Sequence, residues 1–340
     1  MTTKNISIKN NVGLYTLALR LVVGWTYFSA FWRRVALTNK LDMDGVGYIG
    51  EKFNHFLPNA LGIKPLIQYM VENPDILWIS MVAFTIIEGI VGLFIMMGWF
   101  SRTMSIAVFG LAMGMLLGAG WIGTTCLDEW QIGVLGIAAG FTLFLTGSGK
   151  YSLDNYFMKK NYKLTHHKLF PWIASGVLPI KESVLAKVVL IGSIFIFGMT
   201  LMTNQVFHGG VWGTLHNKSV RPKLEITEGV IDNNTLSFDV YRVEGADVYG
   251  SWLIGIELID ANNNVVLDYT QDDLVALNDE SISNYYIAKI EPHKHSLLIP
   301  LGAKARLHLK SDVLSSLDKG TYTLKMTDIS GAFWEHKIEK

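Results

Sequence analysis

The chain has 340 residues, 50% of them hydrophobic and only 17% charged, with a mean hydropathy of +0.30, which excludes an ordinary soluble domain and points to a membrane protein. Lys plus Arg and Asp plus Glu number 29 each, so no basic excess points to nucleic acid. The single cysteine excludes an internal disulfide and a cysteine-ligated iron–sulfur cluster within one chain, and no haem-attachment C-x-x-C-H and no G-x-G-x-x-G opening a helix after a strand appears.

In chain order, apolar runs near residues 12–32, 76–99, 103–120, 130–147 and 185–204 are each about as long as a helix needs to cross roughly 30 Å of hydrocarbon, so five crossings are expected. The first run ends in Trp32-Arg33-Arg34 without a small-residue cleavage pattern and reads as a retained anchor, not a removable signal peptide. The connection between the fourth and fifth runs carries Lys150, Lys159, Lys160, Lys163, Lys168 and Lys181. By the positive-inside rule it is cytoplasmic, which places the loops 33–75 and 121–129 outside, along with everything after about Asn204. The loop 33–75 nevertheless keeps Arg33, Arg34, Lys40, Lys52 and Lys64 on the disfavoured side, accompanied by five acids. Such an arrangement suits the holding of an anion.

Beyond Asn204 the texture changes to short alternating segments separated by turn residues. Segments Thr235–Val243, Ser251–Asp260, Val265–Tyr269, His295–Leu301, Lys304–Lys310, Thr321–Thr327 and Ala332–Ile338 predict about seven strands of an antiparallel sandwich. The expected architecture is a membrane α-helical bundle of four helices plus one tethering transmembrane helix, followed by an extracytoplasmic all-β sandwich domain in the cell (plasma or inner) membrane. Gly110, Gly114 and Gly118 in the third run, and Gly133, Gly136 and Gly140 in the fourth, are expected to allow close helix approach.

Ionisable residues at membrane depth are costly and therefore informative. Arg20 and Glu88 lie near the middles of the first two runs, and counting from the cytoplasmic ends puts them at similar depth. They are expected to form a buried pair that either fixes helix packing or serves a quinone headgroup or proton relay. Arg20, Gly24, Tyr27, Phe28 and Phe31 fall on one stripe of the first helix, with Trp25 and Trp32 beside it. The stripe is either an aromatic quinone site or plain helix packing. Between the third and fourth runs stands Trp121-Ile-Gly-Thr-Thr-Cys126-Leu-Asp128-Glu129-Trp130. Cys126 is either an inert small hydrophobe or a thiol able to exchange with a sulfur substrate. Asp128 and Glu129 are interfacial acids or proton handlers. Lys304, Arg306, His308 and Lys310 form a basic outer stripe, and His293-Lys-His295 and His166-His167 have only weak metal-ligand spacing.

Leu19-Arg20, Gly24-Trp25-x-Tyr27-Phe28-x-x-Phe31-Trp32-Arg33-Arg34 and Glu88-Gly89 together resemble the DoxD membrane subunit of thiosulfate:quinone oxidoreductase. The segment Gly209-Gly210-Val-Trp-Gly213-Thr-Leu-His216-Asn217-Lys218-Ser219 resembles the start of the DoxA subunit. A DoxD-like four-helix part over 1–175, a fifth helix of the DoxA-like part over 180–205 and a sandwich over 206–340 would make the chain a natural fusion. The resemblance implies oxidation of thiosulfate to tetrathionate at the outer face, with membrane quinone as diffusible electron acceptor; the residues themselves show no recognisable metal, haem or flavin site. On this reading Cys126, Arg20 and Glu88 are the catalytic candidates. Arg33, Arg34, Trp121 and Asp128 would bind substrate, and Trp25, Tyr27, Phe28, Phe31 and Trp32 would line the quinone site. The expected partners are thiosulfate, membrane quinone, the bilayer, and either a second copy or a respiratory terminal oxidase. A non-catalytic accessory subunit of a quinol oxidase and a sulfur-oxyanion transporter are the alternatives.

Overall fold

A computed structural model describes residues 12–45, 47–123, 128–246 and 250–340, with the side chain of Asp128 outside the description. Two compact units emerge. One draws on residues up to Ile49, on Trp78–Gly120 and on Asp128–His216; the other draws on Gly50–Leu77, the stretch beginning at Trp121, and Asn217–Lys340.

The first unit is helical. Helices α1 (Leu17–Trp32), α2 (Pro74–Met97), α3 (Ser101–Ala119), α4 (Asp128–Thr146) and α5 (Glu182–Phe207) follow the five apolar runs. Four helices, Pro74–Met97, Ser101–Ala119, Glu129–Thr146 and Glu182–Phe207, are long and apolar enough to cross a membrane. The fifth expected crossing differs: α1 has 16 residues, about 24 Å at 1.5 Å per residue, and continues as a π-helical segment over Arg33–Leu37. With the helical turn at residues 12–15 before it and that extension after it, the path approaches bilayer thickness.

Helices α3 and α4 pack through the glycines of α4. A Cβ at Gly136 would lie 2.7 Å from the Ala112 Cβ, and one at Gly140 would lie 2.9 Å from the Phe109 nitrogen, so only glycine permits this approach. Gly110 and Gly114 do not share that role, since nothing lies within 4 Å of a Cβ built on either. The reason is rotational: the face of α3 against α4 is the stripe of Ser105, Phe109, Ala112 and Leu116, and residues two positions away from Ala112 point elsewhere. Where α5 ends, the His208 Nε2–H donates to the Gly120 carbonyl at the end of α3 (2.9 Å).

The second unit is built on two sheets, one in the order β1-β2-β8-β5 and the other β10-β9-β3-β7-β6, with β4 on β3. The strands are β1 (Lys223–Asp232), β2 (Thr235–Glu244), β3 (Ser251–Ile259), β4 (Val265–Tyr269), β5 (Ile282–Asn284), β6 (Glu291–His293), β7 (Ser296–Ile299), β8 (Lys304–Lys310), β9 (Thr321–Asp328) and β10 (Phe333–Glu339). All pairings are antiparallel. Register follows period-2 burial: Leu236 faces Leu309, Phe238 faces Leu307 and Val240 faces Ala305, all completely buried. All seven expected strands form.

Three further strands escape the sequence pattern. In β1 the alternation is broken by a register shift between Thr227 and Val230, where Glu228 takes a left-handed φ of 52° ahead of Gly229, as at a bulge. Strands β5 and β6 have three residues each, too few to show a period, and Pro292 suits the edge position of β6.

The buried His208 gives this fold a pH dependence. Burial holds its imidazole below the ordinary value of 6.5, so the unfolded chain takes up the proton first as pH falls. The stabilisation is fully present above about pH 6.5 and declines as pH drops from there toward the folded-state value. Thermal unfolding midpoints measured down this range should fall more steeply for the wild type than for His208→Gln, and identical slopes would exclude His208 as a contributor.

Candidate functional site

Glu88 is only 4% exposed within the helical unit, and its carboxylate accepts from the guanidinium of Arg34. The same guanidinium reaches the Thr85 hydroxyl at 3.5 Å and lies 5.9 Å from the centre of the Phe84 ring, within the range of a cation–π contact. Arg34 belongs to the π-helical segment after α1. A π turn adds a residue to the helical repeat and recurs at functional sites. The result is a carboxylate, a guanidinium and a hydroxyl gathered between two apolar helices.

The expected Arg20–Glu88 pair does not form. Helices α1 and α2 run antiparallel with Gly24 against Gly92 and Met96, Gly92 against Phe28, and Gly89 against Phe31. This register brings Arg34 to Glu88 and carries Arg20 to Gly98, at the far end of α2. The ten residues between Glu88 and Gly98 correspond to about 15 Å along a helix. Counting depth from the ends of the runs failed because interlocking glycines, not run length, set the register.

Arg20 instead donates to the backbone carbonyls of Ser148 (2.7 Å) and Tyr151 (2.6 Å). It borders a second buried polar centre formed around Asp154, which is 1% exposed. The Asp154 carboxylate accepts from the N–H groups of Phe100 (2.9 Å) and Ser101 (3.1 Å), and from the hydroxyls of Ser101 and Ser175, both at 2.8 Å. It thereby caps the start of α3 from outside that helix, satisfying donors that an isolated helix end leaves orphaned. Arg102 completes the centre from the same turn, donating to the carbonyls of Phe144 (2.8 Å), Gly176 (2.8 Å) and Pro171. These contacts make Arg20, Arg102 and Asp154 a lock on the bundle's end. Asp154 and Arg102 were missed because each lies just outside an apolar run, where a charged residue is unremarkable.

The aromatic candidates divide by exposure. Trp25 is 57% and Trp32 46% exposed, on a helix flank suited to contact with lipid. Phe28 links them, its ring centre 6.2 Å from Trp25, 5.8 Å from Phe31 and 6.4 Å from Trp32. Tyr27 points inward: its hydroxyl donates to the Val108 carbonyl (3.4 Å) and sits against Gly136.

Among the substrate candidates, Arg33 is exposed while Arg34 is engaged by Glu88. Trp121 is completely buried in the second unit, where its indole N–H donates to the Phe56 carbonyl (3.1 Å). Cys126 and the Asp128 side chain lie outside the described residues. The basic stripe on β8 is largely paired, with Arg306 and Lys304 at 3.0 and 3.6 Å from the Asp239 carboxylate and His308 at 2.9 Å from the Ser237 hydroxyl. Among the described residues, no group of three or more His, Cys, Asp or Glu side chains converges as a metal's ligands would.

A helical bundle with four membrane-length helices and a buried Arg–Glu pair, carried on one chain with a C-terminal all-β part, defines an integral membrane protein. Its sequence matches the family described as TQO small subunit DoxD over residues 15–181 and the family described as TQO small subunit DoxA over residues 207–337. The chain thus belongs to the thiosulfate:quinone oxidoreductase small-subunit families, with DoxD and DoxA halves fused in that order. No solved structure matches it.

Removing Arg34 alone strands a buried carboxylate. Arg34→Ala should therefore lower stability on the order of 3–5 kcal/mol, whereas Arg34→Leu with Glu88→Leu should regain most of that loss. Thermal unfolding of the detergent-solubilised chain distinguishes the two variants, and equal destabilisation by both would show that the pair is not the source.

Proposed function

We propose that the protein oxidises thiosulfate to tetrathionate at the outer face of the membrane and passes the electrons to membrane quinone. The observation that carries this reading is the joining of both small-subunit families of thiosulfate:quinone oxidoreductase in one chain. The orientation follows from the lysine-rich connection between α4 and α5, which the positive-inside rule assigns to the cytoplasm.

The chemistry balances without a resident cofactor as electron store. Two thiosulfate dianions join through a new bond between their terminal sulfurs, two electrons leave, and a quinone accepts them together with two protons. The Arg34–Glu88–Thr85 group supports the quinone half. A quinone dissolved in the bilayer would approach across the lipid-facing flank of Trp25, Phe28 and Trp32. A guanidinium would then stabilise negative charge growing on a ring oxygen, and the Glu88 carboxylate would take up a proton from water and pass it to the quinone, twice for each quinol formed. Arg20, bonded to carbonyls at the other end of α1, acts here as a positioning residue.

For the sulfur half, Arg33 is the exposed cation offered to the dianion. Cys126 supplies a covalent route: its thiolate and one thiosulfate give up two electrons to quinone and form a mixed disulfide. A second thiosulfate then attacks that disulfide, releasing tetrathionate and the thiolate.

The purified full chain, given thiosulfate and a soluble quinone, should produce one tetrathionate per quinol, and a folded sample without turnover would overturn the assignment. Glu88→Gln should slow quinone reduction about 100-fold or more if Glu88 transfers the proton. Its thiosulfate KM should stay near the wild-type value. Arg33→Gln should raise that KM with little change in kcat. Full activity in Cys126→Ala would remove the covalent route while leaving the overall reaction intact.

A further inference from the structure

The chain leaving α5 closes on itself at once, for the His216 N–H donates to the His208 carbonyl (2.8 Å). Within this loop Gly209 and Gly210 take φ values of 71° and 79°, a conformation that favours glycine, and a Cβ at Gly209 would collide with the Thr214 carbonyl. The Gln205 side chain, still on α5, accepts from the N–H groups of Val211 (3.1 Å) and Trp212 (2.9 Å) through its Oε1, and its amide nitrogen lies against Gly213. Two of the tip's backbone donors are thus satisfied by the helix itself.

What the loop presents outward is apolar: Trp212 is 66% exposed and Leu215 80%. Keeping that much hydrophobic surface in water is unfavourable. Two observations identify the medium that relieves it. Helix α5 is of membrane-spanning length and composition, and none of its most apolar stretch is buried within the protein, so apart from its contact with Phe141 of α4 at Gly192 it is open to lipid. From Val188 to Asn217, moreover, no Asp, Glu, Lys or Arg occurs, so the uncharged run continues through the whole loop. Tryptophan at such a helix end is characteristic of the boundary between headgroups and acyl chains.

We propose that the loop 211–215 inserts into that boundary, with Trp212 and Leu215 as anchors held by the Gln205 clamp, and that it sets the depth at which α5 leaves the bilayer. The partner is the lipid surface itself.

The test uses the full chain in vesicles of phosphatidylcholine and phosphatidylglycerol. A nitroxide on Leu215→Cys, in a Cys126→Ser background, should collide more with dissolved oxygen than with a water-soluble nickel chelate. The same label on Val265→Cys, at a 50% exposed position of β4, should show the reverse order. Water-like accessibility at 215 overturns the proposal, whether the loop is free or held by a protein partner. A second measurement needs no cysteine replacement: lipids brominated near the headgroup end should quench a smaller share of tryptophan emission in Trp212→Phe than in the wild type. Equal quenching would also overturn it.

Discussion

Charge buried among apolar helices must be answered locally, and this requirement organises the helical unit. Each of Arg20, Arg34, Glu88, Arg102 and Asp154 is desolvated enough that solitude would cost several kcal/mol, and each meets a partner of opposite charge, a carbonyl or a backbone N–H. Because those partners come from other helices or from the turns between them, satisfying the charges also selects how the helices are arranged. The Asp154 centre ties the start of α3 to the segments around Ser148 and Ser175, and the Arg34–Glu88 pair ties the end of α1 to α2.

The two centres are chemically unlike. Around Asp154, serine hydroxyls, backbone donors and two arginines saturate the carboxylate and the neighbouring carbonyls, which is the pattern of a structural joint. Around Glu88 the donors are fewer, a π-helical turn supplies the arginine, and aromatic rings run from the buried pair to an exposed flank. The proposed proton and quinone chemistry therefore falls to Glu88 rather than to Arg20.

Much of the architecture was legible before any contact was known. Five apolar runs became five helices, and the alternation in residues such as Leu236, Phe238 and Val240 specified strands and the face they bury, since a period of two leaves no other choice. The bulge at Glu228 and Gly229 hid β1, and three-residue strands offered no period to read. The family resemblance rested on short motifs around Arg20, Glu88 and Gly209, which held together as the matches to DoxD and DoxA.

By itself the sequence determined the membrane class, the division into helical and β parts, and the presence of costly charges at depth, because each follows from composition or periodicity along the chain. Only tertiary structure decided which charge meets which. Arg20 and Arg34 are both arginines on one helical path, and nothing local distinguishes them as partners for Glu88. The choice was made by close packing at Gly24, Gly89 and Gly92 and by the π turn after Trp32, which together set how far α1 slides along α2.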